Sequence, residues 1–214
     1  MLDIGSGLGG PARCLAYVFG CRVDGVELSP LRCAQATRLT ARVALDRLVT
    51  FTCGDILSVD LPRQAFDVIW GQGAWMHIAD TSALFQRVAA ALAPGGRVAF
   101  EDACLARAAR GDSEARVLEE LEQLWGGRFL SQDAWRAGLA GASLEVEAID
   151  DLSGAFLADF RRLDDIARGQ GAGQYPANET KAFAHAITLA SAGVIGYASV
   201  VARGATRSAS PRRA

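Results

Sequence analysis

Apolar positions along this chain fall into short runs that alternate with stretches of helical period. Residues 2–4 form a brief apolar run closed by glycines, and residues 22–27, 48–53, 66–70, 97–102, 144–152 and 195–202 each read as a strand. Between them, apolar residues recur at helical spacing. A helix opens at Pro11, a position where proline's missing N–H costs nothing. A second follows the cap residue Ser29 and runs through 36–44. A third covers 79–93, with Leu84, Val88, Ala91 and Leu92 on one face. Leu92-Ala93-Pro94-Gly95-Gly96 is expected to stop that helix and turn the chain into the strand at 97. Further helices are predicted at 115–125 (charged, with one wet face), from Ser131 to Gly141, at 156–167 and at 182–192. Residues 169–176 read as a loop and 204–214 as a disordered Ser/Arg/Ala tail. Strands alternating with helices predict an α/β fold around a mostly parallel, doubly wound sheet. Ligands of such sheets bind outside the C-terminal ends of the first strands, at the topological switch point.

Composition narrows the function classes. The chain has 214 residues, half of them hydrophobic, and a net charge of −2, which gives no reason to expect a nucleic-acid partner. No apolar run reaches the ~18–20 residues of a membrane helix. The five cysteines (Cys14, Cys21, Cys33, Cys53, Cys104) are odd in number and contain no Cys-x-x-Cys pair. That pattern argues against a zinc site or a disulfide framework and for a reducing, cytoplasmic setting.

The candidate chemistry starts at Asp3-Ile4-Gly5-Ser6-Gly7-Leu8-Gly9-Gly10-Pro11. Glycines let the backbone turn tightly and let a ligand approach without meeting a Cβ atom, and the helix N-terminus behind them offers free N–H groups. Gly5-x-Gly7-x-x-Gly10 satisfies the dinucleotide pattern, which keeps a NAD-type oxidoreductase in view. No Ser/Tyr/Lys catalytic set accompanies it. Glu27, roughly twenty positions on at the end of the second strand, stands where nucleotide folds place a ligand for ribose hydroxyls.

With Asp3 in front of Gly5, Gly7 and Gly9, the turn resembles motif I of the class I S-adenosylmethionine (SAM) methyltransferases. Asp55 after the third strand, Gly71-Gln72-Gly73 after the fourth, and Leu92-x-Pro94-Gly95-Gly96 before the fifth extend the resemblance to about residue 105. It sharpens toward the small-molecule enzymes of glycine/sarcosine/dimethylglycine, phosphoethanolamine and tocopherol methylation. The resemblance implies a seven-stranded Rossmann-like sheet with its last strand antiparallel. It implies a SAM site made of Asp3, Gly5, Ser6, Gly7, Gly9, Glu27, Leu28, Asp55, Ile56 and Gln72. In that site Asp3 reaches toward the methionine end, Glu27 holds the ribose, Asp55 takes the adenine amino group and Ile56 packs on the ring. Related enzymes often carry Ser-Gln-Asp or Ser-Arg-Asp at 71–73, so the missing aspartate argues against a small quaternary-ammonium substrate. They also carry one or two helices ahead of the first strand. Here either the start is truncated or the pocket is unusually open.

The function expected is methyl transfer from SAM to a small-molecule acceptor, amine nitrogen favoured, with oxygen or carbon possible. The chain is expected to act as one domain over 1–203, with substrate-facing elements within about 103–140 and 152–192, as a monomer or homodimer. His77 is the candidate base or acceptor-orienting group. Trp70, Trp75 and Met76 are expected in the core or cofactor wall, Trp125, Phe129 and Trp135 in the core, Arg107 and Arg110 in a solvated loop, and His185 in a structural role. Nucleic-acid methylation lacks its Asn/Asp-Pro-Pro-Tyr/Phe tetrad. The remaining alternative is a SAM-binding protein or partner subunit without catalysis.

Overall fold

The computed structural model describes residues 1–169 and 175–204. Seven strands form one sheet: β1 (Leu2–Ile4), β2 (Val23–Glu27), β3 (Val49–Cys53), β4 (Phe66–Gln72), β5 (Leu92–Leu105), β6 (Leu144–Asp151) and β7 (Ile195–Gly204). Their order across the sheet is β3-β2-β1-β4-β5-β7-β6. The first five pair in parallel, and β7 enters antiparallel between β5 and β6. The chain reverses its direction of travel at β1/β4, so β1, β2 and β4 end around the expected crevice. The α/β class, the parallel core and the antiparallel last strand are as the sequence predicts.

The helices are α1 (Gly10–Phe19), α2 (Pro30–Arg42), α3 (Thr81–Ala91), α4 (Gly111–Trp125), α5 (Gln132–Gly141), α6 (Ser153–Gly169) and α7 (Ala177–Ser191). Local chemistry sets their ends. α1 runs between two left-handed glycines, Gly9 (φ 72°) and Gly20 (φ 64°), with Pro11 in its first turn. α2 begins at Pro30 behind the expected cap, the Ser29 hydroxyl accepting Arg32 N–H at 3.4 Å, and ends at Arg42, short of the predicted 44. α3 starts at Thr81 rather than 79, where the Asp80 carboxylate accepts from Ala83 N–H at 2.8 Å.

The Pro94-Gly95-Gly96 turn also differs from expectation. Leu92 already pairs with Phe66, and pairing resumes at Arg97 with Val68. The prolyl-glycyl turn is therefore an irregularity inside one strand rather than a linker ahead of a new one. The same strand runs on to Leu105, past the predicted end at 102. Of the loop predicted at 169–176, residues 170–174 lie outside the described residues, as does the tail 205–214.

The main core packs Leu2, Ile4, Ile69, Val98 and Phe100 of the sheet against Leu84, Phe85 and Val88 of α3 and Leu139 of α5. Trp75 stacks on Phe100 (4.4 Å, 20°), and Trp135 meets Phe100 edge-on at 5.3 Å. Both tryptophans are thus core residues, as expected, and Phe100→Ala would cost about 3–5 kcal/mol. A smaller cluster under α1 holds Ala12, Ala16, Val23 and Val49. A third, built on Leu121, Phe129, Ala186, Leu189 and Ile195, fixes α4 and α7 over the far side of the sheet. There His185 Nε2 lies 3.0 Å from Glu120 and Lys181 2.7 Å, the structural role expected of that histidine.

Candidate active site

At the end of β1 the chain makes three left-handed steps, Gly5 (φ 76°), Gly7 (φ 55°) and Gly9 (φ 72°). Each glycine is required for a different reason. A Cβ on Gly5 would collide with Ala74, and one on Gly9 with the Phe51 ring, so both are packed tightly against protein. A Cβ on Gly7 would meet no protein atom within 4 Å. Its constraint is the backbone angle, and the space beside it is open to a ligand.

The turn is held by its own amides and by one carboxylate. Gly5 and Ser6 N–H both donate to Val26 C=O, at 2.9 and 3.1 Å. Glu27, buried at the end of β2, accepts Gly7 N–H on Oε2 and Ser29 N–H on Oε1, each at 2.9 Å. An ionised carboxylate has about four acceptor positions, so two remain for the two hydroxyls of a ribose. Asp3 is 2% exposed, and burial first and Glu27 second push its carboxyl up to about 7. Its Oδ2 and the Ser6 hydroxyl are buried without a hydrogen-bond partner among the described residues. Buried polar atoms left unpaired are costly, so these two mark where a polar ligand completes the turn.

That donor set separates the two readings of the glycine motif. A dinucleotide pyrophosphate needs free turn amides and positive surroundings. Here Gly7 N–H is committed to Glu27, and two carboxyl groups flank the turn. The arrangement suits a ligand with a ribose and a cationic end, which SAM is, and repels a diphosphate.

The remaining predicted cofactor residues lie at neighbouring strand ends. Asp55 is exposed and closes a turn, its Oδ1 accepting Leu57 N–H at 2.9 Å with Oδ2 left over. Ile56 is buried in the main core beneath it, while Leu8 and Leu28 are exposed beside the turn at 47% and 70%. Gln72 is exposed at the end of β4, its amide donating to the Glu101 carboxylate. The departure at 71–73 has a steric cause: a Cβ on Gly71 would run into the Trp75 indole, and Gly73 sits at φ 56°. Carboxylates at that end come instead from β5, as Glu101 and Asp102.

Asp102 and Tyr197 are residues that sequence reasoning passed over. Asp102 is 2% exposed; its Oδ2 accepts Met76 N–H at 2.9 Å and its Oδ1 accepts Ala103 N–H at 2.9 Å. Burial pushes its carboxyl above the usual range, and those amides pull it back down. It therefore anchors the short 3-10 turn Trp75–His77 that carries the candidate base. His77 is exposed, with Nδ1 3.3 Å from Gly126 C=O. A carbonyl only accepts, so Nδ1 carries the hydrogen and Nε2 is left as the nitrogen able to take a proton. Tyr197, opposite Ala103 in the β5–β7 ladder, stacks on Phe156 (5.2 Å, 9°), and burial raises its phenol above the usual value. The signal available in the sequence was an acidic pair, Glu101-Asp102, ending an apolar strand at the switch point.

These groups line a cleft of about 700 Å³ between the ends of β4 and β5, α4 and α6, whose walls include Gln72, His77, Asp102, Trp125, Phe156 and Tyr197. None of the turn residues 5–9 lines it, so it is a second compartment beside the turn. A cavity of about 820 Å³ lies beyond the 3-10 turn and shares Met76 and His77 with the cleft. Arg107 is occupied, forking onto Glu114 at 2.7 and 2.9 Å and onto Ala192 C=O at 2.8 Å, so it offers no free anion site.

Residues 2–100 match the methyltransferase domain family. The chain is 31% identical over 147 residues to the glycine/sarcosine/dimethylglycine N-methyltransferase of Actinopolyspora halophila, covering 68% of this chain and 26% of that protein. It is 30% identical over 158 residues to the 27-O-demethylrifamycin SV methyltransferase of Amycolatopsis mediterranei, covering 72% of this chain and 56% of that one. The chain thus spans about a quarter to a half of the length of these relatives. Geranyl diphosphate C-methyltransferase from Streptomyces coelicolor superposes with a TM-score of 0.79 at 22% identity, covering 94% of this chain and 70% of that one, which is a likeness of fold. With the glycine turn, its two buried carboxyl groups and this sheet order, the chain belongs to the class I SAM-dependent methyltransferases.

Proposed function

We propose that the protein transfers a methyl group from SAM to a small-molecule acceptor bound in the cleft beside His77. The observation that carries this reading is the pairing of two compartments at the ends of neighbouring central strands, β1 and β4. One is a turn with open space at Gly7 and unpaired polar atoms on Asp3 and Ser6; the other is the cleft under His77.

SAM, when bound, supplies a methyl group already activated by its sulfonium, so the protein needs no nucleophile of its own. What remains for this chain is binding, alignment, exclusion of water and, for some acceptors, removal of a proton. Glu27 accepts from the ribose hydroxyls, Asp55 offers Oδ2 to the adenine amino group, and Asp3 faces the cationic end. Gln72, held by Glu101, lines the cleft. For a hydroxyl acceptor, His77 Nε2 would take the O–H proton as the oxygen displaces the sulfide from the methyl carbon, the C–S electron pair leaving with sulfur, and would return the proton to solvent. Asp102 is a positioning residue, holding the His77 turn through Met76 N–H. The segments within about 103–140 and 152–192 form the acceptor side of one domain. Among the described residues no helix is long and apolar enough to cross a membrane.

Titration calorimetry tests the reading. S-adenosylhomocysteine and SAM are expected to bind and NAD is not; NAD binding without SAM binding would overturn it. A second reading, SAM binding without catalysis, draws on the exposure of Leu8 and Leu28 beside the turn, which leaves that side uncovered among the described residues. SAM affinity with no turnover across amine, hydroxyl and carbon acceptors would favour it.

A further inference from the structure

α6 has a clear apolar stripe, yet none of its 17 residues is buried. Phe156, Phe160 and Leu163 recur at the spacing that puts residues on one helical face, and all three line the 700 Å³ cleft. Phe156 and Phe160 rest partly against the cluster that holds α4 and α7, and among the described residues the rest of the stripe lines the cleft. Trp125 of α4 and Tyr197 of β7 continue the wall. Trp125 and Phe160 are 5.6 Å apart, Phe156 and Phe160 4.5 Å, and Phe156 lies flat on Tyr197. Gln72, Glu101, Asp102 and His77 supply polar groups from β4, β5 and the 3-10 turn, and Asp159 one from α6.

We infer that the acceptor is a ring-bearing apolar molecule whose rings lie against Phe156, Phe160 and Trp125 while its methyl-accepting end reaches Gln72 and His77. The inference rests on the reading of the cleft as the acceptor compartment, and it names the class of molecule that compartment takes.

Size is the first argument. A cleft of about 700 Å³ falls in the ~300–1,000 Å³ range that drug-sized ligands fill. An amino-acid-sized amine would leave aromatic faces against water, forfeiting the apolar burial that favours binding. Ring geometry is the second. A cation in an aromatic cage wants open ring faces. Phe156 and Tyr197 each turn one face to the other.

The test uses the full chain with S-adenosylhomocysteine present, and compares 1-naphthol, a flat neutral ring, with choline, a compact cation, by calorimetry and tryptophan fluorescence. 1-Naphthol is expected to bind and choline is not. The double variant Phe156→Ala/Phe160→Ala is expected to weaken 1-naphthol by about tenfold or more while leaving S-adenosylhomocysteine affinity within twofold. If that variant loses its cooperative melt, Ala155→Trp, which fills the cleft without removing any packed side chain, is expected to block 1-naphthol instead. Choline binding more tightly than 1-naphthol, or 1-naphthol binding untouched by a folded cleft variant, would overturn the inference. S-adenosylhomocysteine binding without 1-naphthol binding defeats the inference and spares the methyltransferase reading. 1-Naphthol binding without any S-adenosylhomocysteine binding does the reverse.

Discussion

The glycine turn after β1 and the aromatic cleft at the ends of β4 and β5 lie on neighbouring central strands of the sheet, and they are built by opposite means. The turn is a backbone object. Residues 3–29 make it almost alone, with amides to Val26, three left-handed glycines and the Glu27 carboxylate bridging Gly7 and Ser29. The cleft is a side-chain object, assembled from Gln72, Asp102, Trp125, Phe156 and Tyr197 on five different elements. A site made of backbone should fail sharply when one residue is wrong. A site made of packed side chains should fail by degrees, and the two should fail independently.

The largest effect expected is at Gly7. Valine there takes a positive φ at a cost of about 1–2 kcal/mol and fills the one side of the turn that meets no protein. The variant should melt cooperatively a few degrees below wild type and show no melting shift with S-adenosylhomocysteine. A full ligand-induced shift would mean that the ligand lies elsewhere.

Asp3 tests the electrostatics of the same turn. Its folded carboxyl titrates near 7 against about 3.8 unfolded, so folding favours its protonated form. The stability this contributes is whole below about pH 4 and is lost as pH rises from there through about 7, a fall on the order of 4 kcal/mol. Asp3→Asn should remove that slope, matching wild type near pH 4 and exceeding it near pH 8 in denaturant unfolding. Parallel pH profiles for the two proteins would refute the assignment. Glu27→Ala removes a buried acceptor from two N–H groups and should cost about 2–3 kcal/mol of stability. It should weaken S-adenosylhomocysteine by a further 1–3 kcal/mol or so and leave 1-naphthol binding in the cleft unchanged.

The same contrast explains what could be read in the sequence. The turn was legible because its parts are contiguous and each has a local reason: proline at the first helical position, glycine where φ is positive, an acid at the next strand end. Even there one reason for Gly5 and Gly9 was hidden, since Ala74 and Phe51, which they pack against, lie far along the chain. The cleft was not legible. Asp102 and Tyr197 acquire their roles only when β7 enters antiparallel against β5, and Phe156 and Phe160 look like any core stripe until α6 is seen to face open space. Proline-glycine-glycine at 94–96 misled for a related reason, because the pairing of Leu92 with Phe66 carries the strand past a sequence that locally says stop.

The smallest effect expected concerns how the cleft's elements are fastened. Arg107 forks onto Glu114 at the start of α4 and onto Ala192 C=O after α7, tying both helices to the end of β5. The bidentate fork holds the Glu114 carboxyl down at about 2. A depressed carboxyl contributes stability that is present above its ordinary range and lost as pH falls toward the folded value. Both side chains keep about a quarter of their surface in solvent, 24% and 26%, so water and salt screen the pair. Arg107→Gln should therefore lower the melting temperature by only a few degrees at low ionic strength, with the gap narrowing in about 1 M salt. S-adenosylhomocysteine affinity should not change, because no part of the fork touches residues 3–29. A loss of cofactor affinity in this variant would show that turn and cleft are coupled through the sheet, and their independence would fail at its weakest tether.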